Sequence, residues 1–278
     1  MHMINIIDNK EAIDRLGHIV DFIHGSVSKK IIDQCINHIE KNTGSPTGCL
    51  RTLESYAEAS GMAAWYKDKD LISLKNWFYV RAKLEYILIG PPYNEIGGEL
   101  GYENRALHGL FCLISDCDDL IKWYSDIDRI FNSRRIDNVK MFDFWTKQFF
   151  IALRGEWDIL IERSERIAAN PPTTSREKKF LIDHQFYLAL AKGDVNGMES
   201  IIKELVSPKL ISNRIGIEGG FSKGLICTPA ILYGKLAWRN GYQIEIDGPY
   251  VPVEWLPIEP LDEYNDSFNF MQEHKIAV

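Results

Sequence analysis

The sequence predicts an all-α protein: stacked antiparallel helical hairpins forming a single domain over residues 1–278, with a short, extended, acidic C-terminal segment over 242–278 packed on or beside it. Three observations predict this. Apolar residues recur at helical spacing along most of the chain, as in Leu74, Trp77, Phe78, Leu84 and Leu88. Turns of similar composition recur at a nearly constant interval and separate paired helices. Beyond Gly241 the helical period stops, and acids, aromatics and prolines crowd together.

Taken in order, residues 11–40 read as a long amphipathic stretch with a break at Gly25-Ser26. Gly44-Ser45-Pro46-Thr47-Gly48 is a loop, and a helix follows from Leu50 to Lys67. The next helix starts at Asp70 and stops at Gly90-Pro91-Pro92, because proline lacks the amide and clashes with the preceding turn. The loop continues through residues 97–101. Residues 106–114 form an apolar helix, Ser115-Asp116 a break, and residues 120–130 another helix.

Phe149-Phe150-Ile151-Ala152-Leu153-Arg154-Gly155-Glu156-Trp157 is then echoed by Tyr187-Leu188-Ala189-Leu190-Ala191-Lys192-Gly193-Asp194-Val195. Each is an apolar helix end, a glycine, an acid and a second helix, with the acid placed to favour the new helix dipole. Gly155 to Gly193 spans 38 residues and Ser115 to Gly155 spans 40. That period predicts a degenerate, tetratricopeptide-like stack, in which each hairpin buries its apolar face against the next. Residues 170–175 read as an inter-helix loop. Thr228-Pro229 reads as a helix start with Thr228 as cap, and Gly241 as the glycine after the last turn. Tyr242, Ile244 and Ile246 alternate with Gln243, Glu245 and Asp247 at strand period, and Pro249 and Pro252 restrict any strand to a short or edge one.

The composition, 45% hydrophobic and 26% charged, is that of a soluble globular chain. Five cysteines at irregular spacing, with no Cys-x-x-Cys, point to reduced thiols. The first ten residues lack the features of a signal peptide, and the most apolar run, residues 149–153, is too short to span a bilayer, so the expected location is the cytoplasm. The strongest basic knots, Arg134-Arg135 and Arg176-Glu177-Lys178-Lys179, form no stripe, which argues against direct nucleic-acid binding.

Few patterns carry chemistry. Gly220-Phe221-Ser222-Lys223-Gly224 matches the Gly-x-Ser-x-Gly of a nucleophile elbow, but no strand precedes Ser222 and the next helix begins too late. His108 and Cys112 have the spacing of two metal ligands on one helix face, with Cys117 near, yet no fourth ligand is evident and Cys112 sits among apolar residues. Gly97-Gly98-Glu99-Leu100-Gly101 lacks the strand a nucleotide-binding loop requires. No catalytic, cofactor or metal site is therefore expected. Asp116, Asp118, Asp119, Asp126 and Asp128 form an acidic cluster, read as caps and a solvated face with a partner-binding alternative.

The last 38 residues are different. Eight acids against Lys275 give them a charge of −7, which is the formal net charge of the whole chain. They also hold Tyr242, Tyr250, Trp255, Tyr264, Phe268 and Phe270. Such a segment is either a binding surface or a solvated wrap over the body. The residues expected at a binding surface are Glu245, Asp247, Tyr250, Glu254, Trp255, Glu259, Asp262 and Glu263, with Asp116, Asp118 and Asp119 from the cluster upstream.

The segment from Gly224 through Thr228-Pro229 and Trp238-Arg239-Asn240-Gly241 to Ile258 resembles the C-terminal end of the immunity protein 49 family. So does the segment from Phe186 to Glu199, with its Gly193-Asp194 turn between helices, and the resemblance extends over residues 71–270. It implies a bacterial immunity protein of a polymorphic toxin system, all-helical and non-enzymatic, that neutralises a cognate toxin delivered by type VI secretion or cell contact. The family supplies no catalytic residues or cofactor to carry over. The implied partner is the toxin, a basic nuclease domain being one candidate, because an acidic surface would imitate its substrate. An apolar end of the helical stack could also pair two copies of the chain. The competing expectations are a helical-repeat adaptor that binds a host protein or peptide, and an enzyme on an all-α scaffold using acids from residues 116–128 or 99–103.

Overall fold

Gly25 and Ser26 do interrupt the first amphipathic stretch. In the computed structural model, which describes residues 10–95, 105–173, 178–214 and 217–277, α1 (Lys10–Asp21) runs into a π-helical turn (Phe22–Ser26) before α2 (Lys29–Glu40). Next, α3 (Pro46–Asp68) begins earlier than the apolar pattern predicts. Ser45 accepts a hydrogen bond from the Gly48 amide, and Pro46 fits the first turn, where its missing amide leaves nothing unpaired. Lys69 closes α3 in the left-handed conformation, φ 55°, and Asp70 caps α4 (Leu71–Ile89) by accepting from Ser73 N at 2.9 Å. A two-residue link between two packed helices makes α3 and α4 an antiparallel hairpin.

The remaining helices are α5 (Arg105–Ser115), α6 (Asp118–Ser125), α7 (Ser133–Ile136), α8 (Phe142–Leu153), α9 (Trp157–Ala169), α10 (Leu181–Lys192), α11 (Val195–Leu205), α12 (Pro208–Asn213) and α13 (Thr228–Arg239). Consecutive helices pack as neighbours through α3, α4, α5 and α6 and again through α8, α9, α10 and α11, while α13 closes the stack against α5 and α11. The protein is all-α: among the described residues there is no β-strand. The turns entering α6, α9 and α11 share one backbone feature. Asp116, Gly155 and Gly193 all have positive φ, 57°, 68° and 67°. Two turns use glycine for this conformation, and the third uses an aspartate.

Three expectations are corrected. The helix expected over residues 120–130 is split, α6 ending at Ser125 and a 3₁₀ turn (Ile127–Ile130) following. Thr228 is not the cap of α13. Cys227 occupies that position, and the Glu218 carboxylate accepts from the Thr228 amide at 2.6 Å. Residues 242–247 alternate as a strand would, Ile244 and Ile246 inward and Glu245 and Asp247 outward, but pair with no neighbouring strand. The expected loop and acids at 97–103, the first nine residues, and parts of the 170–175 loop and the Arg176 knot lie outside the described residues.

Most aromatic side chains fill the core. Phe186 stacks on Tyr233 at 4.3 Å, and Trp145, Phe149 and Phe150 are buried between helices. α5 and α8 touch at Gly109, where a Cβ would come within 2.3 Å of the Phe149 ring. The five cysteines are free thiols, as their spacing predicts. Among the described residues no helix is long and apolar enough to cross a membrane.

Candidate functional site

The C-terminal segment is a strap with two chemically opposite sides. Its backbone is coil broken by 3₁₀ turns at Val253–Trp255 and Asn269–Glu273. Its apolar side faces the body. Trp255 is fully buried and meets Trp65 and Phe78 edge-on at 6.0 and 5.9 Å. Leu256, Phe268, Phe270 and Met271 are buried with it.

One stripe of α4 holds most of the strap. Lys75 Nζ donates to the Glu259 carbonyl, and Asn76 exchanges hydrogen bonds with the Asn265 backbone at 2.8 and 3.2 Å. The Tyr79 hydroxyl donates to Asp266 at 3.0 Å, while Lys83 donates to both oxygens of the same carboxylate at 2.8 Å. Tyr86 donates to the Lys275 carbonyl at 2.9 Å and accepts from Ala277 N at 3.1 Å. Positions 75, 79, 83 and 86 line one face of a helix at steps of four and three. With apolar residues and the buried Arg81 and Glu85 on its other faces, α4 is buried nearly all round.

The firmest attachment is a buried ionic node. The left-handed turn between α5 and α6 points Asp116 inward, where its Oδ2 accepts from Lys75 Nζ at 3.0 Å, Lys235 Nζ at 2.9 Å and the Glu259 amide at 3.1 Å. Lys235 also donates to the carbonyls of Trp255 and Pro257 at 3.0 and 2.6 Å. Burial pushes the Lys235 ammonium down to about 8, against the opposing pull of Asp116. Asp116 therefore anchors the strap and is not a surface acid. Trp255 is likewise a core residue, and both leave the set of expected contact residues.

The other expected residues lie on the outer side. Glu245, Asp247, Glu254, Glu259, Asp262 and Glu263 are exposed. Among the described residues, the one strap carboxylate held in an ion pair is Asp266, with Lys83. Asp118 and Asp119, exposed at the start of α6, lie beside the strap, Asp118 accepting from Arg239 at 2.9 Å. Glu199 of α11 extends the acidic border by accepting from the Glu245 amide at 2.8 Å. Tyr250 is half-buried, and its carbonyl accepts from Cys227 N at 2.8 Å.

The weaker sequence candidates acquire structural roles. Ser222 Oγ lies 2.7 Å from Glu218 Oε2 on a loop with no strand before it, so an elbow geometry is absent. Cys112 is buried, and its thiol is pushed well up by burial. His108 Nδ1 faces Glu85 at 3.4 Å, and among the described residues no group of three or more His, Cys, Asp or Glu is arranged to hold a metal ion.

Two features escaped the sequence reading. One is a second buried ionic cluster, in which Arg81 Nη1 donates to Glu54 at 2.8 Å and Glu85 at 3.2 Å and Arg105 pairs with Glu85. The other is a cavity of about 300 Å³ beside it, reached by Glu58, His108 and Ser222. The available signal was charged residues set inside apolar helix runs: Lys75, Arg81, Lys83 and Glu85 in α4, and the lone Lys235 in Ile231-Leu232-Tyr233-Gly234-Lys235-Leu236-Ala237. A charge there has to find a buried partner. Comparison with family models, with curated proteins and with solved structures finds no match to this chain.

Proposed function

We propose that this chain is an immunity protein of the immunity protein 49 kind, which binds and neutralises a cognate protein toxin without catalysis. The observation that carries the reading is the two-sided strap. Trp255, Phe268 and Phe270 are spent on the core, its backbone is fastened along α4, and among the described residues its exposed carboxylates form no ion pair, unlike Asp266. A binding surface that is already ordered loses little conformational entropy on association. Its fixed negative charge accelerates encounter with a basic partner and suppresses wrong ones. A nuclease toxin presents such a basic surface, because it must hold phosphate. The resemblance of residues 224–258 to the family supports the same reading.

The test is co-expression with a candidate toxin domain, together with binding kinetics. Reversing Glu254, Glu259 and Glu263 to lysine should lower the association rate by about tenfold or more at low salt and abolish rescue. Reversing Asp158 and Glu162 on α9, away from the strap, should leave both unchanged. An association rate indifferent to the strap reversals and to salt would remove the strap from the interface. Deleting the strap is a poor substitute, because it takes Trp255 out of the core.

A further inference from the structure

The cavity beside the Arg81 cluster shares Phe78 with the packing of Trp255 but takes no lining residue from the strap, and its lining has a chemistry of its own. It opens between α3, α5 and the loop that carries Ser222, with about 300 Å³ of space. That is at the lower end of the range for small-molecule sites, and most such sites have mainly apolar walls with a few convergent polar groups. Here Met62, Phe78, Leu110, Phe111 and Ile226 make the apolar wall, and Glu58, His108 and Ser222 supply the polar atoms. The loop is held over the cavity by Arg15, which donates to the Gly220 carbonyl at 2.7 Å.

Glu58 is the informative residue. Its carboxyl lies beside the Gly220 turn of that loop, and among the described residues no cation lies in ion-pair range of it. The nearest guanidinium, Arg81, is engaged by Glu54 and Glu85, and His108 is turned toward Glu85. Burial pushes Glu58 up in spite of the attraction of Arg81 and His108. The wall therefore presents an acid without its counter-ion next to the rings of Phe78 and Phe111, the second of which already carries the Arg81 guanidinium over one face at 4.7 Å. An anionic ligand would meet Glu58 with like charge, and a purely apolar one would leave the carboxyl without a partner.

We propose that this cavity is a binding site for a small organic cation, an amine or amidine head set against Glu58 with an aromatic-sized body against Phe78 and Phe111. The head would donate to the Glu58 carboxylate as a charge-assisted hydrogen bond, and the body would displace water from the apolar wall. This goes beyond the toxin-binding reading and stands or falls separately from it.

The test is calorimetric titration of the full chain with benzylamine, benzamidine, benzyl alcohol and benzoate, which share a ring and differ in charge. Benzylamine and benzamidine should bind at least about tenfold more tightly than benzyl alcohol, a ratio within the reach of one charge-assisted hydrogen bond, and benzoate should not bind. Glu58→Gln keeps the shape and removes the charge. It should bring the amine down to the affinity of the alcohol and leave the alcohol unchanged. Ser222→Trp, which puts a large side chain into the lining from the loop, should block both, with an unchanged circular dichroism spectrum showing that the chain is folded. The proposal is overturned if amine and alcohol bind alike, if amine binding survives Glu58→Gln or Ser222→Trp at full strength, or if no probe binds at low-millimolar concentration.

Discussion

Asp116 and Glu263 carry the same functional group and lie at the same seam between the strap and the body. Asp116 is buried, with three donors on one oxygen, two of them lysine ammonium groups. Glu263 is exposed, and among the described residues no base pairs with it. The difference lies in the backbone. A left-handed turn aims Asp116 into the core, whereas the strap, held by its buried Trp255, Phe268 and Phe270, turns Asp262 and Glu263 to solvent. Negative charge in this region thus divides into a fixed inner carboxylate that organises the strap and an outer set left free to meet another molecule.

The largest effects should come from the inner side. Asp116→Ala leaves Lys75 and Lys235 buried without their shared counter-ion and should lower unfolding free energy by about 3–5 kcal/mol in a urea titration. Asp116→Asn keeps a residue that tolerates the left-handed turn and should lose less. Trp255→Ala opens a cavity between Trp65 and Phe78 and should also lose about 3–5 kcal/mol. If either substitution proved nearly neutral, the strap would not be anchored as the contacts require. A smaller effect has a pH signature. The folded-state value of Lys235, about 8, lies below its ordinary 10.5. Between those values the unfolded chain holds more protons than the folded one, so stability should rise across this window as pH increases. Lys235→Met should flatten that rise, which a series of melts from pH 7.5 to 10.5 would show.

Much of this architecture was legible from residue spacing. The helix period, the helix start at Asp70, the Gly90-Pro91-Pro92 stop and the recurring turn at Gly155 and Gly193 are local signals, and local hydrogen bonding and sterics decide them. The inward and outward alternation of residues 242–247 was legible too, but not its pairing, since whether an extended segment finds a neighbouring strand is a property of the whole fold. Asp116 was misread for a related reason. In sequence it is one of several clustered acids that resemble helix caps, and what separates it from Asp118 is a pair of lysines on α4 and α13, far along the chain. The exposed part of the candidate surface was legible because acids without a basic partner nearby default to solvent. Trp255 was assigned to the same surface because its acidic neighbours hid the fact that a tryptophan can leave its flanking residues outside and enter the core alone.

The smallest stability effects should come from the cavity and from the outer acids. Glu58 has its value raised by burial, so at neutral pH the folded state either carries a proton there or tolerates a poorly solvated charge, a penalty the unfolded chain does not share. Glu58→Gln should therefore stabilise the protein at pH 7, and the gain should vanish as pH falls below the ordinary carboxylate value, where both states are protonated. Glu254→Gln, Glu259→Gln and Glu263→Gln should each shift unfolding free energy by no more than about 0.5 kcal/mol, because the carboxylates are exposed and, among the described residues, held in no ion pair. That near-neutrality sharpens the contrast with Asp116. A loss of several kcal/mol from an outer acid would mean that its carboxylate braces the strap, and the division between anchoring and presenting sides would fail at that residue.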